Sequence, residues 1–334
     1  MSKNSRKNFR NNWNVEASLI AKRTHNPIRS IVENIVVEPN PDKQLIALSI
    51  GDPTTFGNLK PPKEVIKAVH ESIDSQLYNG YAPSTGYKEA RQAVAEYSSN
   101  EFTNVQFKDV VLCSGCSSAL DLCITALARE GQNIIIPRPG FSIYRTLAEG
   151  LGITVKSYNL QPEFGWEIDL NDLEAQIDES TAAIIINNPS NPCGSVFSRD
   201  HLLDILQVAA KYYVPIIADE IYEHMTHALL AYELLSKISG LKPIMPDGAM
   251  YMMVHIDLPS FPEFDSELQF VKTLLAEESV FCLPGQCFDY PSYMRLVITI
   301  PKHLLEEACL RINEFCYRHH AKNLNNINNS VIVN

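Results

Sequence analysis

The feature that most constrains the fold is a series of short apolar segments that alternate with helical patterns through the middle of the chain. The apolar segments are rich in isoleucine and valine, as is typical of strands that are buried on both faces. They are Asn133–Ile136, Ile153–Tyr158, Ala182–Ile186 and Val214–Ala218. The intervening segments predict helices at Phe141–Glu149, Asp169–Gln176 and His201–Lys211. This alternation predicts an α/β fold with a mostly parallel sheet and helices on both of its faces.

Upstream of this region, the pattern predicts two helices and one more strand. The helices are Lys60–Ser75 and Tyr87–Ser98, and the strand is Asp109–Cys113. The strand leads through the small residues 114–118 into a predicted helix at Ala119–Ala128. A helix that starts after such a turn can bind an anion, because its first backbone N–H groups have no partner within the helix. An ordinary strand-to-helix turn has the same local pattern, so both interpretations stay open.

After Met225 the alternation gives way to a mixed pattern that predicts a smaller α+β domain. Its helices are predicted at Ala228–Ser239, Glu267–Glu277 and Leu304–Tyr317, and its strands at Ala249–Ile256 and Arg295–Ile300. The predicted organisation is a basic disordered tail at 1–14, an N-terminal segment at 15–45, a large domain at 46–225, the small domain at 226–320 and a disordered Asn-rich tail at 321–334.

Composition and charge exclude several classes of function. The 334 residues are 45% hydrophobic and carry a formal net charge of -11, which argues against nucleic acid and anionic membranes as partners. No apolar run reaches the roughly 18 residues of a membrane span. The chain has eight cysteines and no secretory signal pattern, so reduced thiols in the cytoplasm are expected. Cys113 and Cys116 have the spacing of half a zinc site, but no second pair accompanies them, and we predict no metal site.

Four motifs together point to a family. They are Pro137–Tyr144, Asn187–Ser195, Ala218–Tyr222 and Pro246-x-Gly248-Ala249-Met250-Tyr251. In this order they resemble the fold type I aminotransferases of class I and II, which use pyridoxal 5'-phosphate, and the similarity extends over roughly Val15 to His319. The resemblance implies a homodimer that transfers an amino group from an aromatic L-amino acid, tyrosine, to 2-oxoglutarate in tyrosine and phenylalanine catabolism.

The resemblance also implies which residues bind the cofactor. Asp219 would pair with the ring nitrogen and keep it protonated, because a neighbouring carboxylate favours the charged form of that nitrogen. Asn191 and Tyr222 would donate to the phenolic oxygen. The remaining cofactor positions are the phosphate loop Gly115, Cys116 and Ser117, the ring-stacking Phe141, and Tyr81, which would reach the phosphate of the partner subunit.

Each of these residues has a simpler explanation when it is considered alone. Asp219 is also consistent with a helix cap or a solvated acid, Asn191 with a turn residue, and Tyr222 and Phe141 with packed aromatic side chains. The resemblance favours the functional interpretation because all of these residue types occur in one ordered set.

Two further positions would bind the substrate. Arg295 matches the arginine that binds the α-carboxylate, and its planar guanidinium suits a bidentate contact with that group. Gly51 matches the glycine whose backbone flanks the substrate.

The chain departs from the family pattern at the catalytic residue. The lysine that binds the cofactor as a Schiff base is expected after Tyr222, in a Ser-x-x-Lys turn with an arginine shortly beyond it. The lysines after Tyr222 are Lys237, Lys242, Lys272, Lys302 and Lys322, and none of them has that context. The sequence therefore provides no catalytic lysine, and a block on the order of a hundred residues with two central strands is missing, at roughly 30 residues per strand–helix–strand unit.

The missing block has physical consequences. We expect the strand at Val214 to become an exposed apolar edge, the chain to have poor stability, and any cofactor binding to be weak and non-covalent. Two functions remain open: an aminotransferase by descent that is inactive in this form, and a non-catalytic isoform that pairs with a full-length subunit. A nicotinamide dehydrogenase would need a G-x-G-x-x-G turn after a strand, which the sequence lacks.

Overall fold

The structure is a computed structural model that describes residues 15–49, 51–52, 54, 56–223 and 229–323. The strands are β1 (Ile46–Ala47), β2 (Asn133–Arg138), β3 (Thr154–Gln161), β4 (Glu167–Ile168), β5 (Thr181–Asn187), β6 (Ile216–Asp219), β7 (Leu241–Pro243), β8 (Tyr251–Ile256), β9 (Val280–Phe281), β10 (Leu283–Pro284) and β11 (Tyr293–Val297). The α-helices are α1 (Leu19–Arg23), α2 (Pro27–Val32), α3 (Lys63–Ser75), α4 (Lys88–Ser98), α5 (Cys116–Leu127), α6 (Ile143–Gly150), α7 (Leu170–Gln176), α8 (Arg199–Tyr212), α9 (Leu229–Leu235), α10 (Glu267–Glu278) and α11 (Lys302–His319). The tail predicted at 1–14 lies outside the described residues, as does the tail predicted at 321–334 apart from residues 321–323. Within the described ranges, no helix is both long enough and apolar enough to cross a bilayer.

The main sheet has five strands in the order β4-β3-β2-β5-β6. Strand β2 runs parallel to β3 and β5, β6 runs parallel to β5, and only the short β4 is antiparallel to its neighbour. The predicted mostly parallel sheet is therefore confirmed. All four strands predicted between residues 133 and 218 are present, although β6 begins at Ile216 rather than at Val214.

Helices cover both faces of this sheet because alternate residues of its strands point in opposite directions. Ile134 and Ile136 of β2 pack on one face with residues of α5 and α6. Ile135 points to the other face and shares a core with residues of α7 and α8. Each fully buried isoleucine contributes about 1.5–3 kcal/mol, so the continuous apolar run at β2 stabilises both layers.

The strand predicted at Asp109–Cys113 is wrong. Residues 107–109 form a short 3-10 turn and residues 110–113 belong to no strand. The backbone is extended at Val110, but Val111 is 53% exposed, and no described strand lies beside the segment. The Leu112 N–H donates to the Thr85 carbonyl at 3.0 Å, but a strand needs a neighbour that shares a series of backbone hydrogen bonds, and no described strand pairs with this segment.

Strand β6 is an exposed edge, as the sequence predicts. Among the described strands it pairs only with β5, and Ala218 on its outer part is exposed. The open edge of β6 and the lack of a strand partner for residues 110–113 are both consistent with the missing block that the sequence predicts.

The C-terminal part forms the predicted smaller α+β unit. Its antiparallel sheet has the order β10-β11-β8-β7, and α10 and α11 pack against it through buried residues such as Phe270 and Phe315. Strand β1 pairs in parallel with β9, so Ile46 and Leu48 of the N-terminal half belong to this core.

Helix α3 lies on the surface with its apolar side uncovered. Val65, Ile66, Val69 and Ile73 lie on one side of the helix, and they are 45% to 65% exposed. No residue of α3 is buried. The stripe therefore has the pattern of a packed helix without a packing partner in the described chain.

Candidate active site

The predicted cofactor residues converge on one cavity at the carboxyl ends of β5 and β6. The cavity has a volume of about 270 Å³. The predicted residues in its lining are Gly115, Cys116, Ser117, Phe141, Asn191, Asp219 and Tyr222. Ligands bind at this end of open parallel sheets because the turns after the strands meet there. The structure thus brings together all of the predicted cofactor residues except Tyr81.

Asp219 lies at the base of the cavity and is only 4% exposed. The Tyr144 hydroxyl donates to its Oδ2 at 2.7 Å. Its Oδ1 accepts from the Cys116 thiol at 3.6 Å and from the Ile221 N–H at 3.2 Å. A carboxylate offers about four acceptor positions, so one position, on Oδ2, is left for a donor in the cavity.

The two side chains that donate to Asp219 stay protonated at physiological pH. Burial, and then the charge and hydrogen bond of Asp219, raise the pKa of the Cys116 thiol to about 11. The same causes raise the pKa of the fully buried Tyr144 hydroxyl well above its usual value. Both groups therefore act as neutral donors that hold the carboxylate in place.

The N-terminus of α5 forms another wall of the cavity. Gly115 precedes the helix with a φ of 80°, a left-handed conformation in which glycine avoids the cost of a Cβ. Cys116 and Ser117 occupy the first turn, where backbone N–H groups have no acceptor within the helix. The combined helix dipole makes this end suitable for a phosphate group.

Asn187 connects the two strand ends at the cavity. Its side-chain amide donates to the Asp219 carbonyl at 3.1 Å, and its Oδ1 accepts from the Asn191 N–H at 2.7 Å. All three residues are buried. The position of Asn191 is therefore coupled to that of Asp219.

A second cavity of about 420 Å³ adjoins the first and shares Phe141, Asn191 and Tyr222 with it. Both predicted substrate residues, Gly51 and Arg295, line this second cavity. Apolar side chains of α2 and β10 complete its wall: Ile28, Val32 and Leu283.

Arg295 is a buried cation that has no acidic partner among the described residues. Its Nη1 donates to Asn191 Oδ1 at 2.9 Å and its Nη2 donates to the Ser49 carbonyl at 2.7 Å. Its Nε is buried and makes no hydrogen bond to the part of the chain that the structure describes. None of the ion pairs among the described residues involves Arg295. Burial lowers its pKa, and an unpaired buried charge is costly, so the site favours an anionic ligand.

Aromatic rings surround this guanidinium and fix the adjacent backbone. The Tyr251 ring lies 4.2 Å and the Phe288 ring 4.8 Å from Arg295 Cζ. The Tyr251 hydroxyl is hydrogen-bonded to Tyr222 at 2.9 Å. A Cβ at Gly51 would lie 2.2 Å from that same hydroxyl, so a larger residue there would force the Tyr251 side chain to move.

Two features of the family site are not found around the cavities. Tyr81 is fully exposed and lines neither cavity, so its assignment to a partner's phosphate stays a prediction. Within the described residues, no lysine lines either cavity.

The fold and the site define a class, the fold type I pyridoxal-phosphate aminotransferases. The sequence model of the family "Aminotransferase class I and II" matches residues 43–233 and 226–312. The chain belongs to this family. Tyrosine aminotransferase of Homo sapiens is 43% identical over 92% of this chain and 88% of the human protein. Tyrosine aminotransferase of Dictyostelium discoideum is 36% identical over 93% of this chain and 98% of its own length.

Solved structures agree with this assignment. The crystal structure of tyrosine aminotransferase from Leishmania infantum superposes with a TM-score of 0.85 at 28% identity, covering 92% of this chain and 99% of that chain. Alanine aminotransferase from Pyrococcus furiosus has a TM-score of 0.83 at 22% identity, covering 91% of this chain and 100% of that chain, and shows the common fold.

The comparisons also locate an internal gap. The alignment with the human enzyme spans 402 positions and covers 92% of this chain, which is about 307 of its 334 residues. Roughly 95 positions of the human enzyme are therefore aligned with a gap in this chain. The two segments of the family match meet at 226–233. The gap therefore falls near residues 226–233, shortly after β6, in the region where the sequence predicts the missing block.

Sequence reasoning missed three residues that shape the site: Tyr144, Asn187 and Tyr251. Tyr144 and Asn187 lie within quoted motifs, but their contacts with Asp219 span 75 and 32 residues of the chain. No local pattern shows such contacts. Only one feature of the sequence indicates a role for Tyr144. It lies one helical turn after Phe141, which is itself predicted to stack on the cofactor ring.

Proposed function

We propose that this chain binds pyridoxal 5'-phosphate non-covalently in the cavity at Asp219 and does not transaminate by itself. The observation that supports this proposal is a cavity with an acceptor for the ring nitrogen, a helix N-terminus for the phosphate, and no lysine in its described lining. When bound, the cofactor supplies an electron sink for chemistry at the amino acid's α-carbon.

Each part of the cofactor has a matching group in the cavity. The free acceptor position of Asp219 would hold the ring N–H, and Tyr144 and Cys116 keep that carboxylate oriented. The first turn of α5 would bind the phosphate. Phe141 would stack on the ring and exclude water from it, and Asn191 and Tyr222 would donate to its phenolic oxygen. Without a lysine, no side chain in the described lining would bind the cofactor covalently or move the substrate's α-proton, and we therefore propose weak binding and no turnover.

The second cavity supports the family's substrate class. We infer that Arg295 binds the α-carboxylate of an aromatic L-amino acid such as tyrosine, or the corresponding group of 2-oxoglutarate. The apolar side chains Ile28, Val32 and Leu283 would contact the side chain of the substrate. The proposed setting is amino-acid catabolism in the cytoplasm.

Titration of the purified chain with pyridoxal phosphate tests this function. We expect saturable binding that gel filtration reverses, and no loss of tyrosine when 2-oxoglutarate is added. Asp219→Asn should weaken binding at least tenfold, because a neutral amide does not stabilise a protonated ring nitrogen. Asp172→Asn is the matched control, because Asp172 lines neither cavity. Turnover of tyrosine, or equal binding by both variants, would refute the proposal.

A second function is supported by the uncovered face of α3. We propose that this face and the exposed Tyr81 contact another aminotransferase subunit, so that the chain pairs with itself or with a full-length homologue. Co-expression with a tagged full-length subunit tests this idea. Recovery of both chains in one complex would support it, and a strictly monomeric chain would exclude it.

A further inference from the structure

The outer edge of β6 presents backbone groups that have no partner. The Ile184 N–H donates to the Pro215 carbonyl and the Asn188 N–H donates to the Asp219 carbonyl, each at 3.0 Å. With Ile184 opposite Ile216, the parallel pattern turns the backbone groups of Ile217 and Asp219 toward β5. The N–H and C=O groups of Ile216 and Ala218 therefore point away from the sheet, where no described strand receives them.

The two edges of the sheet differ in how they are protected. At the opposite edge, β4 has only two residues, and a very short edge strand offers little to pair with. Strand β6 has the sequence Ile216-Ile217-Ala218-Asp219, which contains no proline and no positively charged residue. Its exposed Ala218 leaves the edge open to an approaching strand. Sheet edges of this kind accept strands from other polypeptides.

The position of the internal gap indicates what belongs at this edge. About 95 positions of the human relative are absent near residues 226–233, shortly after β6. Residues 110–113, which have a strand-like sequence, are also left without a strand partner in the described chain. We propose that β6 is a strand-acceptor site for a separate polypeptide that carries the absent block, and that this polypeptide binds by adding an extended apolar strand to β6.

A second copy of this chain fits the edge less well. Two β6 edges would bring together only four residues from each chain. Stable interfaces contain on the order of 20 residues on each side. The absent block is long enough to fill the space beside β6 and also to pair with residues 110–113, so it is the occupant that the structure favours.

The test is co-expression of this chain with the block of human tyrosine aminotransferase that aligns with the gap. The block carries an affinity tag and the chain does not. We expect the chain to co-purify with the block in a one-to-one complex. The blocking variant is Ala218→Pro, which removes an outward N–H without removing a hydrogen bond to β5. The matched control is Ala218→Val, which retains the N–H. We expect Ala218→Pro to reduce recovery at least tenfold and Ala218→Val to leave it unchanged.

Amide hydrogen exchange of the unmodified chain provides a second readout that does not depend on the folding of any variant. In the free chain, the amides of Ile216 and Ala218 should exchange rapidly, while those of Ile217 and Asp219 should be protected by β5. In the complex, Ile216 and Ala218 should become at least tenfold slower.

Three results would overturn the proposal. The first is failure of the block to capture the chain. The second is that the block captures the Ala218→Pro variant as well as the unmodified chain, and that its binding leaves the exchange of the Ile216 and Ala218 amides unchanged. The contact would then lie elsewhere on the chain. The third is that these two amides are protected from exchange in the chain alone and that the chain forms a concentration-dependent dimer. A second copy of the chain would then be the molecule that binds to β6.

Discussion

At the residue scale, the site depends on how a buried carboxylate is kept in one position. Asp219 receives three hydrogen bonds, from a tyrosine, a cysteine and a backbone N–H. A buried carboxylate is tolerated only where donors compensate for the lost water. The same donors leave one acceptor position open, so the arrangement both stabilises Asp219 and selects where a ligand donor can bind.

Tyr144 should contribute to cofactor binding through Asp219. We predict that Tyr144→Phe lowers the affinity for pyridoxal phosphate about tenfold, or roughly 1.4 kcal/mol, because Asp219 loses a donor that orients it. Tyr158 is the matched control, since it is equally buried but its hydroxyl donates to the Ile185 carbonyl at 2.9 Å. Absorbance titration of both variants measures the difference. Equal losses in the two variants would mean that Tyr144 acts only through general stability.

Cys116 should react slowly with alkylating reagents. A pKa of about 11 leaves roughly one thiol in a thousand ionised at pH 8. We predict that its alkylation by iodoacetamide accelerates about tenfold per pH unit between pH 8 and 10, because only the thiolate reacts. The exposed Cys123 on the same helix is an internal reference. Asp219→Asn should accelerate alkylation of Cys116, since it removes a charge that raises the pKa of the thiol. A rate that levels off below pH 9 would contradict this prediction.

At the element scale, the apolar stripe of α3 contributes little to the stability of the isolated chain. Ile73 in α3 is 65% exposed, whereas Ile124 in α5 is fully buried. We predict that Ile73→Ala changes the free energy of unfolding by less than about 0.5 kcal/mol and that Ile124→Ala lowers it by about 2–5 kcal/mol. Urea denaturation measures both values. A loss of more than 1 kcal/mol for Ile73→Ala would contradict this prediction, because it would mean that Ile73 is packed in solution.

The elements also show what the sequence can and cannot predict. The strands β2, β3 and β5 follow from local apolar runs, because burial on both faces requires them. Residues 110–113 have an equally apolar pattern, yet they form no strand, since a partner strand is a property of the rest of the chain. The cavity residues were predictable as a set from the motifs, whereas the contacts of Tyr144 and Asn187 depend on how distant strands meet.

At the scale of the whole molecule, the chain exposes more surface than a compact monomer. Its accessible surface is 20248 Å², whereas a compact monomer of this length is expected to expose roughly 14,000 Å². About a tenth of the sequence lies outside the described residues. If that tenth had the accessible area of an unfolded chain, it would add only roughly 4,000 Å² beyond its share of the compact area. About 2,000 Å² remains on this one chain, which is more than the roughly 800 Å² that each partner buries in an interface of standard size. The uncovered α3 and the open edge of β6 are both part of this surface.

The central claim is that this chain retains the cofactor cavity but lacks the amine that would bind the cofactor covalently. Reduction of an equimolar mixture of chain and pyridoxal phosphate with borohydride, followed by mass spectrometry of the peptides, tests it most directly. We predict that no lysine acquires the cofactor in stoichiometric amount, although absorbance shows that the cofactor is bound before reduction. One lysine labelled at one mole per mole of chain would contradict the account.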